Sequence, residues 1–185
     1  MSRTHSGAVI VVADGAGGVG GAAIAAQFVC DFLMDRAAKA TGDGVFWVRA
    51  LRDADAALAA DSHGGLTTAV VVEIRGTSLC GASVGDSGAW ALNESGIVDL
   101  TAAQIRKPLI GSGEAKLVAF GPVLLRERLL VATDGIFKYA HRDVIAACAL
   151  NAKLDDAAEA LLEAVRLRNG FFQDDIALIL CDHSP

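Results

Sequence analysis

This sequence predicts a mixed α+β fold with antiparallel sheets, from three observations. An apolar, valine-rich run at residues 8–13 leads into two helical patterns. Four short β-type runs are then packed between residues 67 and 100, and two more helical patterns precede a last strand. The links between the four runs are Arg75-Gly76, Gly85-Asp86-Ser87-Gly88 and Glu94-Ser95-Gly96. None is long enough to hold a crossover helix, so the runs are expected to pair as antiparallel hairpins.

Taken in order, residues 8–13 lie between Gly7 and Asp14-Gly15 and read as a buried strand. From about residue 21 to 40, Ile24, Phe28, Phe32 and Leu33 fall near helical spacing, with Asp31, Asp35 and Lys39 left for a polar face. Residues 41–44, Thr-Gly-Asp-Gly, break that helix, and residues 45–60 form a second one, alanine-rich in its later half. The strands are placed at 67–74, 78–84, 89–93 and 97–100. Residues 102–118, carrying Pro108, Gly111 and Gly113, read as a loop with a short helix. A strand at 128–133 ends in Asp134-Gly135, helices follow at 142–150 and 155–168, and a strand at 175–181 closes the chain.

Composition narrows the function. A chain of 185 residues is most simply one domain, and its 53% hydrophobic content supports a large core. Aromatics are only 5%, so Ala, Val, Leu and Ile must fill that core. The net charge of −6 argues against nucleic acid and anionic lipid as partners, since both reward clustered Lys and Arg. Cys30, Cys80, Cys148 and Cys181 stand singly in apolar surroundings without ligand spacing and read as reduced core residues. No apolar run approaches the ~18 residues of a membrane span, and MSRTHSG leads into too short a stretch for a signal peptide. A soluble cytoplasmic protein is the expectation.

The segment VVADGAGGVGGAAIAA, residues 11–26, raises the question of chemistry. Gly15, Gly17 and Gly20 spell the G-x-G-x-x-G of a dinucleotide-binding turn. That reading needs a second parallel strand ending in an acid, whereas Asp35 lies inside a helical pattern and helix follows helix. More telling is an echo: VVADG at 11–15 recurs as VATDG at 131–135. Each is an apolar strand that stops at an aspartate followed by glycine. The strand holds the carboxylate rigidly, and the glycine lets the chain turn and bring a backbone carbonyl to the same point. Carboxylates plus a carbonyl suit hard cations such as Mg²⁺ and Mn²⁺. Asp174-Asp175 opens the final strand and Asp86 sits in a hairpin turn, although each Asp taken singly is also an ordinary turn or cap residue.

In order along the chain, VVADGAGG (11–18), GGLTTAVV (64–71), VGDSGAW (84–90), LLVATDGIF (129–137) and QDDIALIL (173–180) resemble one family. They are similar to the DG-x-GG, G-[ST]-T-A, GDSR, SDG and DN-[IV]-[TS] segments of the metal-dependent, type 2C serine/threonine protein phosphatases. The resemblance implies a four-layer α-β-β-α sandwich, two mostly antiparallel sheets packed face to face with helices outside. It implies that Asp14 bridges two Mg²⁺ or Mn²⁺ ions, that the Gly15 carbonyl binds one of them, and that Asp134 and Asp174 hold the other. Asp86, with Asp134, matches the acids of a third, weaker site, while Asp175 stands where the family has asparagine and is not expected to be a ligand. Two such ions about 3.5–4 Å apart lower the pKa of a bridging water and neutralise phosphate charge, allowing in-line attack. The implied catalytic residues are therefore Asp14, Asp134 and Asp174, and the implied partner is a phosphorylated protein, the substrate of an opposing Ser/Thr kinase. The alternative is a catalytically weak or inactive module that binds a phosphoprotein or regulatory partner.

Three departures accompany the resemblance. The family's R-x-x-N-[DE] segment has no match in residues 1–7, where Arg3 and His5 are the nearby cation and proton donor and a disordered terminus is expected. Val19 stands where relatives often carry histidine, and Gly88 replaces the arginine after Gly-Asp-Ser. His63 and His141 lack ligand spacing, and Trp47 and Trp90 are expected to pack.

Overall fold

The computed structural model describes residues 2–4, 7–17, 21–61, 64–150 and 153–182. His5, Gly18, Val19, Gly20 and His63, on which expectations above fall, lie outside the described residues. From the N-terminus the elements are β1 (Ser2–Thr4), β2 (Gly7–Val12), β3 (Gly15–Ala16), α1 (Ala22–Met34), α2 (Gly44–Ala59), β4 (Leu66–Thr67), β5 (Ala69–Arg75) and β6 (Ser78–Val84). Then come β7 (Gly88–Asn93), β8 (Gly96–Asp99), β9 (Val118–Leu124), β10 (Arg128–Ala132), α3 (Asp134–Phe137), α4 (Arg142–Leu150), α5 (Leu154–Val165) and β11 (Leu178–Asp182). The fold is α+β with antiparallel sheets, and it divides into two units: Met1–Ser87 with Thr101–Leu124, and Gly88–Leu100 with Leu125–Pro185.

The first unit is a five-stranded antiparallel sheet in the order β1-β2-β5-β6-β9, covered by α1 and α2. Val9, Val11, Val71, Ala82 and Val84 share a core with Ala25, Val29 and Leu33 of α1 and with Trp47, Leu51 and Leu58 of α2. Ile10, Val12, Val70 and Val72, of opposite strand parity, are buried too. That explains why the strands read as continuous apolar runs and not as alternating ones. The stripe of α1 runs through positions 25, 29 and 33; the expected stripe through Ile24 is corrected, since that side chain is 60% exposed. Asp43 caps α2 by accepting from the Val45 N–H at 2.9 Å. Ser2–Thr4 pairs with β2, Arg3 opposite Ala8, which corrects the expected disorder for these three residues. The open edge of β2 offers backbone groups that the leader satisfies.

One carboxylate sits inside this unit. Glu73 is buried on β5 and accepts from Trp47 Nε1 at 2.8 Å, from the Gly42 N–H at 2.9 Å and from Arg75 Nε at 2.5 Å. The Cys80 thiol donates to it across 3.9 Å. Burial first, then the charges of Glu73 and Asp43, push that thiol up to about 12. Because only the thiolate attacks electrophiles, iodoacetamide at pH 8 is expected to label Cys80 about 10³-fold more slowly in the folded protein than in urea. Mass spectrometry of the labelled peptide reads this directly, and equal rates in the two states would contradict it. All four cysteines are free thiols.

The second unit is a four-stranded antiparallel sheet in the order β11-β10-β7-β8 with α3, α4 and α5 packed on it. Trp90, Leu92, Leu130, Ala132 and Leu180 meet Ile136, Ile145, Ala149, Ala157 and Leu161 in its core. Trp90 packs on Phe137, ring centroids 4.6 Å apart. A Cβ at Gly88 would lie 2.8 Å from the Phe137 ring, so the arginine that the resemblance would put there would require that ring to move.

Four element expectations are corrected. The β5/β6 and β7/β8 hairpins form, but β6 and β7 do not pair: β6 takes β9 as its second neighbour, and β7 takes β10. A link too short for a helix can still carry a strand from one sheet into another. Strand β9 itself goes unread in the sequence because Gly121-Pro122 interrupts it; as the edge strand it can lack a donor. No helix forms between Leu100 and Val118, where the chain makes turns instead. The last strand starts at Leu178, so Asp174 and Asp175 lie in the loop before it. Among the described residues, no helix is long and apolar enough to cross a membrane.

Candidate active site

Asp14 leaves β2 two residues after its end and is held by its backbone. Its N–H donates to Thr68 Oγ1 at 3.0 Å, and its carbonyl accepts from Thr67 Oγ1 at 3.0 Å and from the Thr68 N–H at 2.9 Å. Gly15 pairs with Thr67 across the two-residue strands β3 and β4. The threonines of GGLTTAVV therefore clamp the Asp14 segment, a role the sequence reading did not assign them. The glycine requirement is also revised: Gly15 has no left-handed backbone, but a Cβ there would lie 2.2 Å from the Ala22 carbonyl oxygen. Close approach of the first turn of α1, rather than a sharp turn, excludes a side chain.

The clamp rests on a buried acid in α2. Asp55 is 4% exposed; its Oδ1 accepts from the Gly111 and Gly113 N–H groups at 2.7 and 2.9 Å, and its Oδ2 from the Ala115 N–H at 2.9 Å. That fixes the loop carrying Ile110, which exchanges two 3.1 Å backbone hydrogen bonds with Thr67. A mid-helix aspartate gives no sequence signal for such a role.

Asp86 is in the same unit. Thr68 Oγ1, which receives the Asp14 N–H, is 2.7 Å from Ser87 Oγ, so the two acidic segments share one buried hydroxyl pair. The Asp86 carboxylate accepts from an Arg106 guanidinium nitrogen at 2.7 Å.

In the second unit Asp134 is the first residue of α3, where a helix N-terminus favours negative charge. Thr133 pins the chain before β11 to the end of β10: its Oγ1 accepts from the Ala177 N–H at 3.1 Å and donates to the Asp175 carbonyl at 3.3 Å. The result is proximity, for a Cβ on Gly135 would be 3.6 Å from the Asp174 Cβ. Lys138 Nζ is 3.6 Å from Asp174 Oδ2. Its ammonium is held above the usual lysine range, first by Tyr139 and then by the charges of Asp134 and Asp174. Asp174 and Asp175 border an open cavity of about 610 Å³ walled by Leu162, Phe172, Gln173 and Ile176.

Among the described residues, no three of His, Cys, Asp and Glu stand grouped to hold a metal ion. Two of the candidate carboxylates are paired with chain cations instead, Asp86 with Arg106 and Asp174 with Lys138. All the candidate donors are oxygens, which fits Mg²⁺ or Mn²⁺ rather than a soft metal.

The architecture has solved counterparts. An arginine-substituted form of a bacterial serine phosphatase superposes with a TM-score of 0.80 at 21% identity, covering 95% of this chain and 85% of that one. This chain has the fold of the type 2C phosphatases. Other proteins with the type 2C fold agree. The catalytic domain of the serine/threonine protein phosphatase PstP, in complex with two manganese ions, matches at TM-score 0.77 and 22% identity, over 94% of this chain and 86% of its own. The serine/threonine phosphatase Stp1 from Staphylococcus aureus matches at 0.78 and 19%, over 96% and 84%. No protein-family model matches the sequence, and neither does any curated protein. The type 2C likeness thus rests on shape and on the five segments in order.

Proposed function

We propose that this chain, acting as one domain, is a metal-dependent protein phosphatase that hydrolyses phosphoserine and phosphothreonine and opposes a Ser/Thr kinase. The observation that carries the reading is the pair of strand-end Asp-Gly segments on a type 2C fold. Each is held in place by threonine hydroxyls, Thr67 and Thr68 at Asp14 and Thr133 beside Asp134. Asp14 through its carboxylate and Gly15 through its carbonyl are the proposed metal ligands of the first unit, and Asp134 and Asp174 those of the second. Bound divalent ions would supply charge neutralisation at the phosphate and an acidified water. The chain's own contribution is to keep the carboxylates in place before the ions arrive. Thr67 and Thr68 fix the backbone on both sides of the Asp14 side chain, and Thr133 fixes the loop carrying Asp174. Lys138 balances the charge of Asp134 and Asp174, which would otherwise repel each other.

The test is hydrolysis of an aryl phosphate and of a phosphothreonine peptide by the wild-type protein with Mn²⁺ and after chelation. Turnover that requires Mn²⁺ is the expected result. Rates equal with and without the metal would overturn the reading. A second reading, a phosphoprotein-binding module of low activity, is favoured by the chain cations standing at Asp86 and Asp174. Mn²⁺ binding without turnover on either substrate would select it.

A further inference from the structure

We propose that Arg106 is a built-in counter-cation that takes the place of a divalent ion at Asp86, so that Asp86 is not a metal ligand in this chain. The inference rests on the phosphatase reading only for the idea that ions bind nearby; the geometry of Asp86 is independent of it.

Exposed ion pairs on flexible stems are usually worth little, because two long side chains must be ordered for a screened attraction. This pair differs in how its backbone is prepared. The loop carrying Arg106 is fastened to the Asp86 turn on both sides of the aspartate. The Gly85 N–H donates to the Ile105 carbonyl at 3.0 Å, and Gln104 Nε2 donates to the Ser87 carbonyl at 2.9 Å. Residues 104–106 thus lie along residues 85–87, and the guanidinium has only its own side-chain torsions left to order before it meets the carboxylate at 2.7 Å. On the other side, Ser87 Oγ is tied to Thr68 Oγ1 in a buried contact. Asp86, about one-third exposed in its side chain, therefore already has a cation held against it. A hard divalent ion would have to displace a delocalised guanidinium that matches carboxylate geometry.

The consequence is a metal count. Mn²⁺ bound per chain can be read from the loss of the free-ion electron paramagnetic resonance signal, without any turnover. Arg106→Gln keeps a polar side chain at this exposed position but removes its charge, and is expected to bind one more Mn²⁺ per chain than the wild type. Adding Asp86→Asn to it is expected to return the count to the wild-type value, and Asp86→Asn alone to leave it unchanged. Identical counts for the wild type and Arg106→Gln would overturn the assignment, as would the loss of one ion on Asp86→Asn alone. Circular dichroism of each variant establishes that the comparison is between folded proteins. Should the wild type bind no Mn²⁺ and hydrolyse nothing, the phosphatase reading fails, while the difference between wild type and Arg106→Gln still decides the role of Arg106.

Discussion

Asparagine in place of Asp14 is expected to lower Mn²⁺-dependent phosphatase turnover at least about 100-fold while leaving the fold intact. Residues that merely orient a metal ligand already cost about 10–100-fold when removed, so loss of a carboxylate proposed as a ligand itself should cost no less. The separation from stability follows from how the segment is held. Its N–H and carbonyl make the bonds to Thr67 and Thr68, and asparagine keeps both. The thermal midpoint of the metal-free protein should therefore move little while turnover collapses. If Asp14→Asn retained wild-type turnover, Asp14 would not be a catalytic ligand. Were the metal-free midpoint to fall together with turnover, the loss would be one of folding, since with Mn²⁺ present the wild type gains stability from the bound ion.

Alanine in place of Asp55 is expected to cost about 3 kcal/mol of stability, a large share of what a domain of this size has. The substitution strands three backbone donors, at Gly111, Gly113 and Ala115, and each buried donor left without an acceptor costs about 1–3 kcal/mol. Water reaches this loop, in which Gly113 is exposed, and keeps the sum near the lower end. Urea unfolding gives the value from the shift in midpoint at constant slope. An unchanged midpoint would mean that water replaces the carboxylate at no loss. Because the same loop holds Thr67 through Ile110, Asp55→Ala should also weaken Mn²⁺ binding in whatever fraction stays folded.

The candidate acids were named from local pattern, and what the sequence left unread has a common cause. Asp14 and Asp134 announce themselves because a valine-rich run ending in Asp-Gly is a local pattern, read within five residues. Asp55 and Arg106 do not. One is an acid in a helix and the other a basic residue in a loop, and both acquire meaning from partners far along the chain, at Ala115 and Asp86. The glycine after Asp14 was noticed for the wrong reason, because its need for a bare Cα comes from the backbone of α1 at Ala22 and not from its own torsions.

Period and propensity act over a few residues, so the longer elements were legible in order and kind: the valine strand, the helices expected at about 21–40 and 45–60, the β5/β6 and β7/β8 hairpins, the strand leading to Asp134 and the two helices after it, whereas β1, β3, β4, β9 and α3 were not. Long-range folding settles that β6 turns to β9 while β7 turns to β10, that a strand interrupted by Gly121-Pro122 lies at the edge, and that Arg106 meets Asp86. The reason is physical. Which edge a strand pairs with, and which side chain meets a carboxylate, depends on long-range closure of the chain, and neither spacing nor composition records that closure.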